Sequence, residues 1–481
     1  MNYVPKIGLE IHAELKTKTK MFCDSPNDPD EKHPNVNICP VCMGYPGTLP
    51  VINKEAVKSV LRAGLAINGK LADFTQWDRK NYFYPDLPKG YQISQYKYPL
   101  VSGGVLNNVK ITRIHLEEDT GRLIHDGDVS LVDFNRAGVP LMELVTEPDI
   151  TSAEQARRFA EELRLLLRYL EISEADMEKG QLRIEVNISL GNSVSKRTDF
   201  KKSVLGTKVE IKNLNSFKSV EQSINYEIKR QAGVLGKGEK VIQETRGWNE
   251  NKQKTFSQRS KEEARDYRYF PEPDLPPLKI NEIEDFQNLE KTLPELPWQR
   301  RERMEKEYKL PREAVNLLVE NKKMADFFEE AISESRAETK KKVTGLTLNY
   351  LTSDLAGIMR EKYLDFDNLL LTAENFADLI TMLSEDKISS RAAKDVLKEM
   401  VETGAEPHVV VLEHGLEQTS DDDLIMTAAQ KVVEENPRAA EDYKKGKESA
   451  LQFLVGMMMK ETKGAANPQK AVEILQKLLE N

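Results

Sequence analysis

Apolar and polar positions alternate with a period of two in several segments of the first half of the chain. Ile7, Leu9, Ile11, Ala13 and Leu15 interleave with Gly8, Glu10, His12 and Glu14, and Leu182, Ile184, Val186, Ile188 and Leu190 interleave with Arg183, Glu185, Asn187 and Ser189. A shorter run sets Val209 and Ile211 against Lys208, Glu210 and Lys212. Such alternation predicts strands with one buried and one polar face, as in a mixed or antiparallel sheet covered on one side. Between these runs, Thr151 and Ser152 followed by Glu154 and Gln155 have the spacing of a capping box. The helix they open carries a core-facing stripe of Ala156, Phe159, Ala160, Leu163, Leu166, Leu167 and Leu170.

After the Pro-rich segments Pro271 to Pro277 and Leu293 to Pro297 the texture becomes helical, rich in Lys and Glu. The expected fold is therefore α+β, with a sheet domain over residues 1–294, a helical domain over 295–407 and a helical tail over 408–481, the last break set by Glu406 and Pro407. In the tail, Met457, Met458 and Met459 read as core filler.

Composition narrows the class. The 481 residues are 39% hydrophobic and 31% charged, without an apolar run of membrane-spanning length or a basic-then-apolar leader pattern. A soluble, cytoplasmic protein is expected. A net charge of −9 disfavours general adhesion to nucleic acid but permits a local basic site.

Asp78 to Gln95 mixes charges, aromatic rings, Pro85, Pro88 and Gly90. Held on a stiff backbone, Arg79, Lys80 and Lys89 beside Tyr82, Phe83, Tyr84 and Tyr91 suit phosphates and an unpaired nucleotide, although a Pro-rich loop with half-buried rings also fits. No Walker loop, HExxH or GxSxG is present. A nucleotide would thus be held through carboxylates bridging a metal. The polar strand faces offer Glu10 with His12, Glu185 with Asn187, and Glu210 with Lys212, while His115, Glu117, Glu118, Asp119, Glu143, Glu147 and Asp149 follow on other segments. Converging on one sheet, these acids suit Mg²⁺; taken singly, each pair suits a solvated strand face. Cys39 and Cys42 have a C-x₂-C spacing with Cys23 upstream, so either a zinc site completed by Asp24 or His33, or three reduced thiols, is expected.

The segments IGLEIHAEL, CPVCMGYPGTLPVINK, DRKNYFYPDLPKGYQISQY, LMELVTEPDI, GQLRIEVNISL, VEIKNLNSF, ETRGW and DYRYFPEPDLPPL, in this order, resemble the GatB family, the B subunits of the bacterial tRNA-dependent amidotransferases GatCAB. The resemblance resumes in Asp442 to Pro468 and is closer than that to the archaeal GatE relatives, which carry an inserted domain. It implies a catalytic cradle, a helical domain and a YqeY-like tail that contacts tRNA. It also implies an ATP-dependent ligase. The side-chain carboxylate of misacylated Glu-tRNA(Gln), Asp-tRNA(Asn) or both is phosphorylated, and ammonia from a GatA glutaminase, braced by GatC, displaces the phosphate. By motif, Glu10, His12, Glu118 and Glu143 would hold Mg²⁺ and serve phosphoryl transfer. Lys80 would lie near the ammonia inlet, which Glu118 gates. Arg79, Tyr82, Tyr84, Lys89, Glu185, Glu210 and Lys212 would face ATP or the tRNA end, and Cys23, Cys39 and Cys42 would bind a structural zinc. Zinc-bearing members carry C-x-C before the pair, whereas Ser25 stands at the second position here. The competing readings are a tRNA-binding scaffold without catalysis and a zinc hydrolase built on Cys39 and Cys42. Lacking an amidase signature, the chain is expected not to use glutamine alone.

Overall fold

A computed structural model describes residues 3–192, 205–260, 267–335, 340–418, 422–462, 466 and 468–480. The chain divides into two compact units, Met1–Pro297 and Trp298–Asn481.

The first unit is built on a large mixed sheet. Its principal strands are β1 (Tyr3–Glu14), β4 (Val109–Glu118), β5 (Pro140–Thr146), β6 (Leu182–Asn192), β7 (Val209–Leu214), β8 (Glu244–Asn249) and β9 (Lys254–Ser260), while β2 (Asp78–Asn81) and β3 (Tyr91–Ser94) form a hairpin outside it. Side by side the order is β9, β8, β7, β6, β1, β5, β4, extended by Val101–Ser102 and Lys70–Leu71. Neighbours are antiparallel except β7 and β8. The hairpin β2–β3 takes Phe270–Pro271 as a third strand.

The alternation in β1 is realised as expected. Ile7, Leu9 and Ile11 are at most 1% exposed, each contributing about 1.5–3 kcal/mol by leaving water, whereas Glu10, His12 and Glu14 stay partly accessible. Helix α1 (Ala153–Tyr169) begins at Ser152, whose Oγ accepts from the Gln155 N–H, and the Gln155 side chain accepts in return from the Thr151 N–H. Its predicted stripe is buried. Helix α2 (Phe217–Gly236) packs on α1 and on β6, β7 and β9.

The second unit is helical, so the α+β expectation is met. The helix Ser390–Thr403 ends at Gly404, whose φ of 73° glycine adopts without Cβ strain. Pro407–His414 then packs back onto Ser390–Thr403 and Ala373–Ser384, burying Val410 and Val411. A separate core gathers Ile425, Ala429, Val432, Leu454, Met458, Ile474, Leu475 and Leu479, with Met457 and Met459 packed against it, so the methionines fill a core. Among the described residues no helix is long and apolar enough to cross a membrane.

Candidate active site

Strand β1 lies between β6 and β5, and three registers set Arg183, His12, Glu143 and His115 in one row across β6, β1, β5 and β4. Residues paired this way project to the same face. The adjacent row holds Glu185, Glu10, Val145 and Arg113. Four strands from distant parts of the sequence thus present their chemistry together.

The geometry is close. His12 Nε2 stands 3.3 Å from Glu143 Oε2, 3.9 Å from Glu10 Oε1 and 4.0 Å from Glu117 Oε1. His115 Nε2 stands 3.2 Å from Glu143 Oε2 and 3.9 Å from Glu117 Oε2. Ligand atoms of Glu10, His12 and Glu143 lie within 4.8 Å of one another, as do those of His115, Glu117 and Glu143. Burial, with Glu143 and Glu185 nearby, raises the Glu10 carboxyl to about 6. Burial works against a charged His12, but its hydrogen bond to Glu143 and the surrounding carboxylates raise it to about 9. Burial likewise opposes ionisation of Glu143, yet His115 and His12 hold it well below the usual carboxylate range. The result is a nest of carboxylates that the two imidazoles offset, with donor chemistry suited to a divalent cation. Lys212 borders it, 2.9 Å from Glu185 and 3.6 Å from Glu210, whose other oxygen accepts from Thr245 Oγ1 at 2.7 Å.

Glu118 is not part of this nest. Successive residues of a strand face opposite sides, so Glu117 joins His115 and Glu143 while Glu118 turns away. Its carboxylate accepts from Lys89 Nζ at 2.6 Å and from the Ile93 N–H at 2.9 Å. There it lines a cavity of about 110 Å³ with Lys89, Tyr91, Ile93, Cys23 and Cys42. The grouping of Lys80 with Glu118 fails for the same reason. Lys80 packs beside the rings of Tyr82 and Tyr267, 5.9 and 5.2 Å from their centroids, and although burial opposes its charge, Glu117 and then Tyr269 raise its pKa.

The basic residues expected to meet phosphates have partners within the fold. Arg79 donates to Glu272 through Nε at 2.7 Å and Nη2 at 2.8 Å and lies over the Tyr91 ring; Lys89 is bound to Glu118. Tyr82 donates to Gln92 Oε1 at 3.2 Å, and Tyr84 is exposed. Glu147 accepts from Thr112 beyond an irregularity between Val145 and Thr146, and Asp149 lies past the strand end, so neither reaches the nest.

From the sequence, His115 and Glu117 are expected at the site only as members of a wider acidic group, and Arg183, Tyr267 and Tyr269 are not expected there. The first two share strand parity with the face that pairs with Glu143, which was the available signal. Tyr267 and Tyr269 arrive from a segment remote in sequence; Tyr269 stacks on Tyr96 with centroids 4.5 Å apart.

Sulfurs of Cys23, Cys39 and Cys42 lie within 4.8 Å of one another. Neither proposed fourth ligand joins them: Asp24 is exposed, and His33 is exposed with Nδ1 on Glu31 Oε1 at 2.9 Å. Instead buried Lys20 directs Nζ at Cys42 Sγ at 3.8 Å, with Ser25 Oγ also at 3.8 Å. A cation donating to a thiolate accords with a three-thiolate metal site carrying net negative charge.

In the second unit, Lys445 pairs with Glu441 and Lys447 with Asp442, both at 3.1 Å. Lys463 and Gly464 lie outside the described residues.

Residues 5–284 match the GatB/GatE catalytic domain and residues 326–479 match the GatB domain. Aspartyl/glutamyl-tRNA(Asn/Gln) amidotransferase subunits B from Caldanaerobacter subterraneus subsp. tengcongensis and Thermotoga maritima are each 46% identical, over 488 and 494 aligned residues. That of Persephonella marina is 45% identical over 487. All three alignments cover the whole of both chains.

Proposed function

The chain belongs to the GatB family of tRNA-dependent amidotransferase B subunits, and from that premise we propose that its polar sheet face phosphorylates the side-chain carboxylate of misacylated Glu-tRNA(Gln), Asp-tRNA(Asn) or both, for amidation by ammonia. The observation that carries this reading is the convergence of Glu10, His12, His115, Glu117 and Glu143 at the centre of the sheet. Its match to the catalytic domain goes against a binding scaffold without chemistry.

The donor set fits Mg²⁺, which would be held by Glu10, His12 and Glu143 on one side and by His115 and Glu117 with the same Glu143 on the other. When bound, the ion supplies positive charge where two anions, ATP and the carboxylate, are brought together. The chain's own groups do the rest. His12 and His115 fix the Glu143 carboxylate between them, Ser94 Oγ fixes Glu117 at 2.8 Å, and strand pairing holds all of them without loop motion. The carboxylate oxygen attacks the terminal phosphorus of ATP, the bond to ADP breaks, and the acyl phosphate is then open to attack at carbon.

Ammonia is delivered from the other side of β4. Supporting this route, Lys89 and Glu118 meet in the cavity beside the cysteine cluster. The source is a separate glutaminase subunit of GatA type braced by a GatC-type subunit, since the sequence carries no amidase signature. Cys23, Cys39 and Cys42 hold a structural zinc, and the residues from 408 onward form a tail that grips the tRNA body. The decisive experiment measures ADP formation in the assembled enzyme: it should require misacylated tRNA and fail with Glu117→Gln. ADP release that ignores the tRNA, or an unimpaired variant, would remove the proposal.

A further inference from the structure

We propose that Arg183 is the residue that grips the phosphoryl group in transit between ATP and the tRNA-borne carboxylate, an inference that rests on the function proposed above. It stands directly opposite His12 in the register of β6 and β1, at the end of the row that continues through Glu143 and His115. Its guanidinium is a fixed feature of that row. Nη2 donates to Asp119 Oδ2 at 2.7 Å, and Asp119 is itself held by its own N–H on Val139 O at 2.8 Å and by Arg136 Nε at 3.7 Å.

One hydrogen bond leaves most of a five-donor fork unspent. Among the described residues no second acceptor is bound to Arg183, and its side chain is 33% exposed. The neighbouring cations are committed otherwise. Arg113 Nη2 leans on Glu143 at 3.6 Å, Lys212 is shared by Glu185 and Glu210, and Lys80 is enclosed by tyrosine rings. Arg183 has its counter-ion, Asp119, outside the proposed metal-binding set. It therefore keeps its charge and its free donors when that set is occupied.

The chemistry calls for such a group. The incoming species are anions, and the face they enter is lined by carboxylates, so a guanidinium with two parallel N–H groups matches the oxygens of a transferring phosphoryl in a way that an ammonium does not. In the step itself a carboxylate oxygen bonds to the terminal phosphorus as the bond to the ADP oxygen breaks. Charge is conserved, and Arg183 stays protonated throughout. When ammonia attacks the acyl carbon, the same fork holds the departing phosphate.

The test is tRNA-dependent ADP formation by the assembled amidotransferase, with ATP and misacylated tRNA varied separately and each variant's melting temperature recorded. Arg183→Lys retains the charge and the partnership with Asp119 while removing the fork. It is expected to lower kcat at least about 10-fold with melting little changed, and Arg183→Gln about 100-fold or more. Added guanidinium ion should restore part of the Arg183→Ala rate, a rescue that a merely structural arginine would not show. Arg183→Lys with a wild-type kcat would overturn the assignment. If wild type makes no ADP with misacylated tRNA, or if Glu117→Gln is unimpaired, it is the function of the site that fails; if both controls behave and Arg183→Lys is silent, only Arg183 is wrongly assigned.

Discussion

Glu117 and Glu118 are consecutive in β4, yet their carboxylates belong to opposite sides of the sheet: one accepts from Ser94 Oγ beside His12 and His115, the other from Lys89 and the Ile93 N–H. On the function proposed above, two steps of one reaction sequence fall to neighbours in the chain.

These two positions should therefore separate kinetically. Glu117→Gln is expected to reduce tRNA-dependent ADP formation about 100-fold, because it removes charge from the nest without changing size. Glu118→Gln should leave that step within a few-fold of wild type and lower glutamine-dependent amidation instead. Equal losses in both assays for both variants would show that the sheet does not divide the chemistry.

How much of this was written in the sequence differs from residue to residue. The polar face of β1 could be read from alternation alone, because Glu10 and His12 are flanked by apolar neighbours that leave no choice of side. In IHLEED three acids follow one another, and the sequence alone does not say which of them face the site. Only the pairing of His115 with Glu143 decides, and register is a property of two strands together. Arg79 and Lys89 were misread for a related reason. A cation looks available until its partner is seen, and Glu272 is far away in sequence. The unit division was foreshadowed by a change of texture, but Pro407, which looks like a linker, opens a helix that packs back on its predecessors.

Zinc analysis provides a third check. Purified protein from zinc-replete medium should carry about one equivalent, and Cys42→Ser should lose it together with thermal stability, since folding and metal binding are linked. Retention of full stability without metal would favour three reduced thiols packed around Lys20.

In the helical unit, the pH dependence of stability should centre on Glu329. Burial opposes its ionisation, but hydrogen bonds and charges from Arg303 and Arg300 lower its pKa below the ordinary value of 4.5. A lowered carboxyl pKa contributes stability that is present above the unfolded value and is lost as pH falls through the folded one. Protection of the Lys322–Glu334 amides against hydrogen exchange, taken relative to their intrinsic rates, should thus fall from about pH 4.5 downward, while Glu329→Gln should be less protected at pH 7 and change less on acidification. Parallel profiles for both proteins would count against this cluster.

Removal of residues 416–481 spares the helix Pro407–His414 and deletes the core built around Leu454 and Met458. The expected outcome is a raised KM for aminoacyl-tRNA with a smaller change in kcat. An unchanged KM would dissociate this region from tRNA binding, and the pairing of Lys445 and Lys447 with acids would then be its sufficient explanation.

The position of β1 between β5 and β6 also constrains how the protein comes into being. Made before either neighbour, β1 must wait for β5 to pair one edge and for β6 to pair the other, and at about 5–20 residues per second the stretch to Arg183 takes on the order of ten seconds or more to emerge. Throughout that interval Ile7, Leu9 and Ile11 lie in an apolar strand with at least one open edge, a natural client for a chaperone. The same delay has a protective side: the nest, and with it the nucleotide chemistry proposed for it, cannot assemble before the sheet has closed around it.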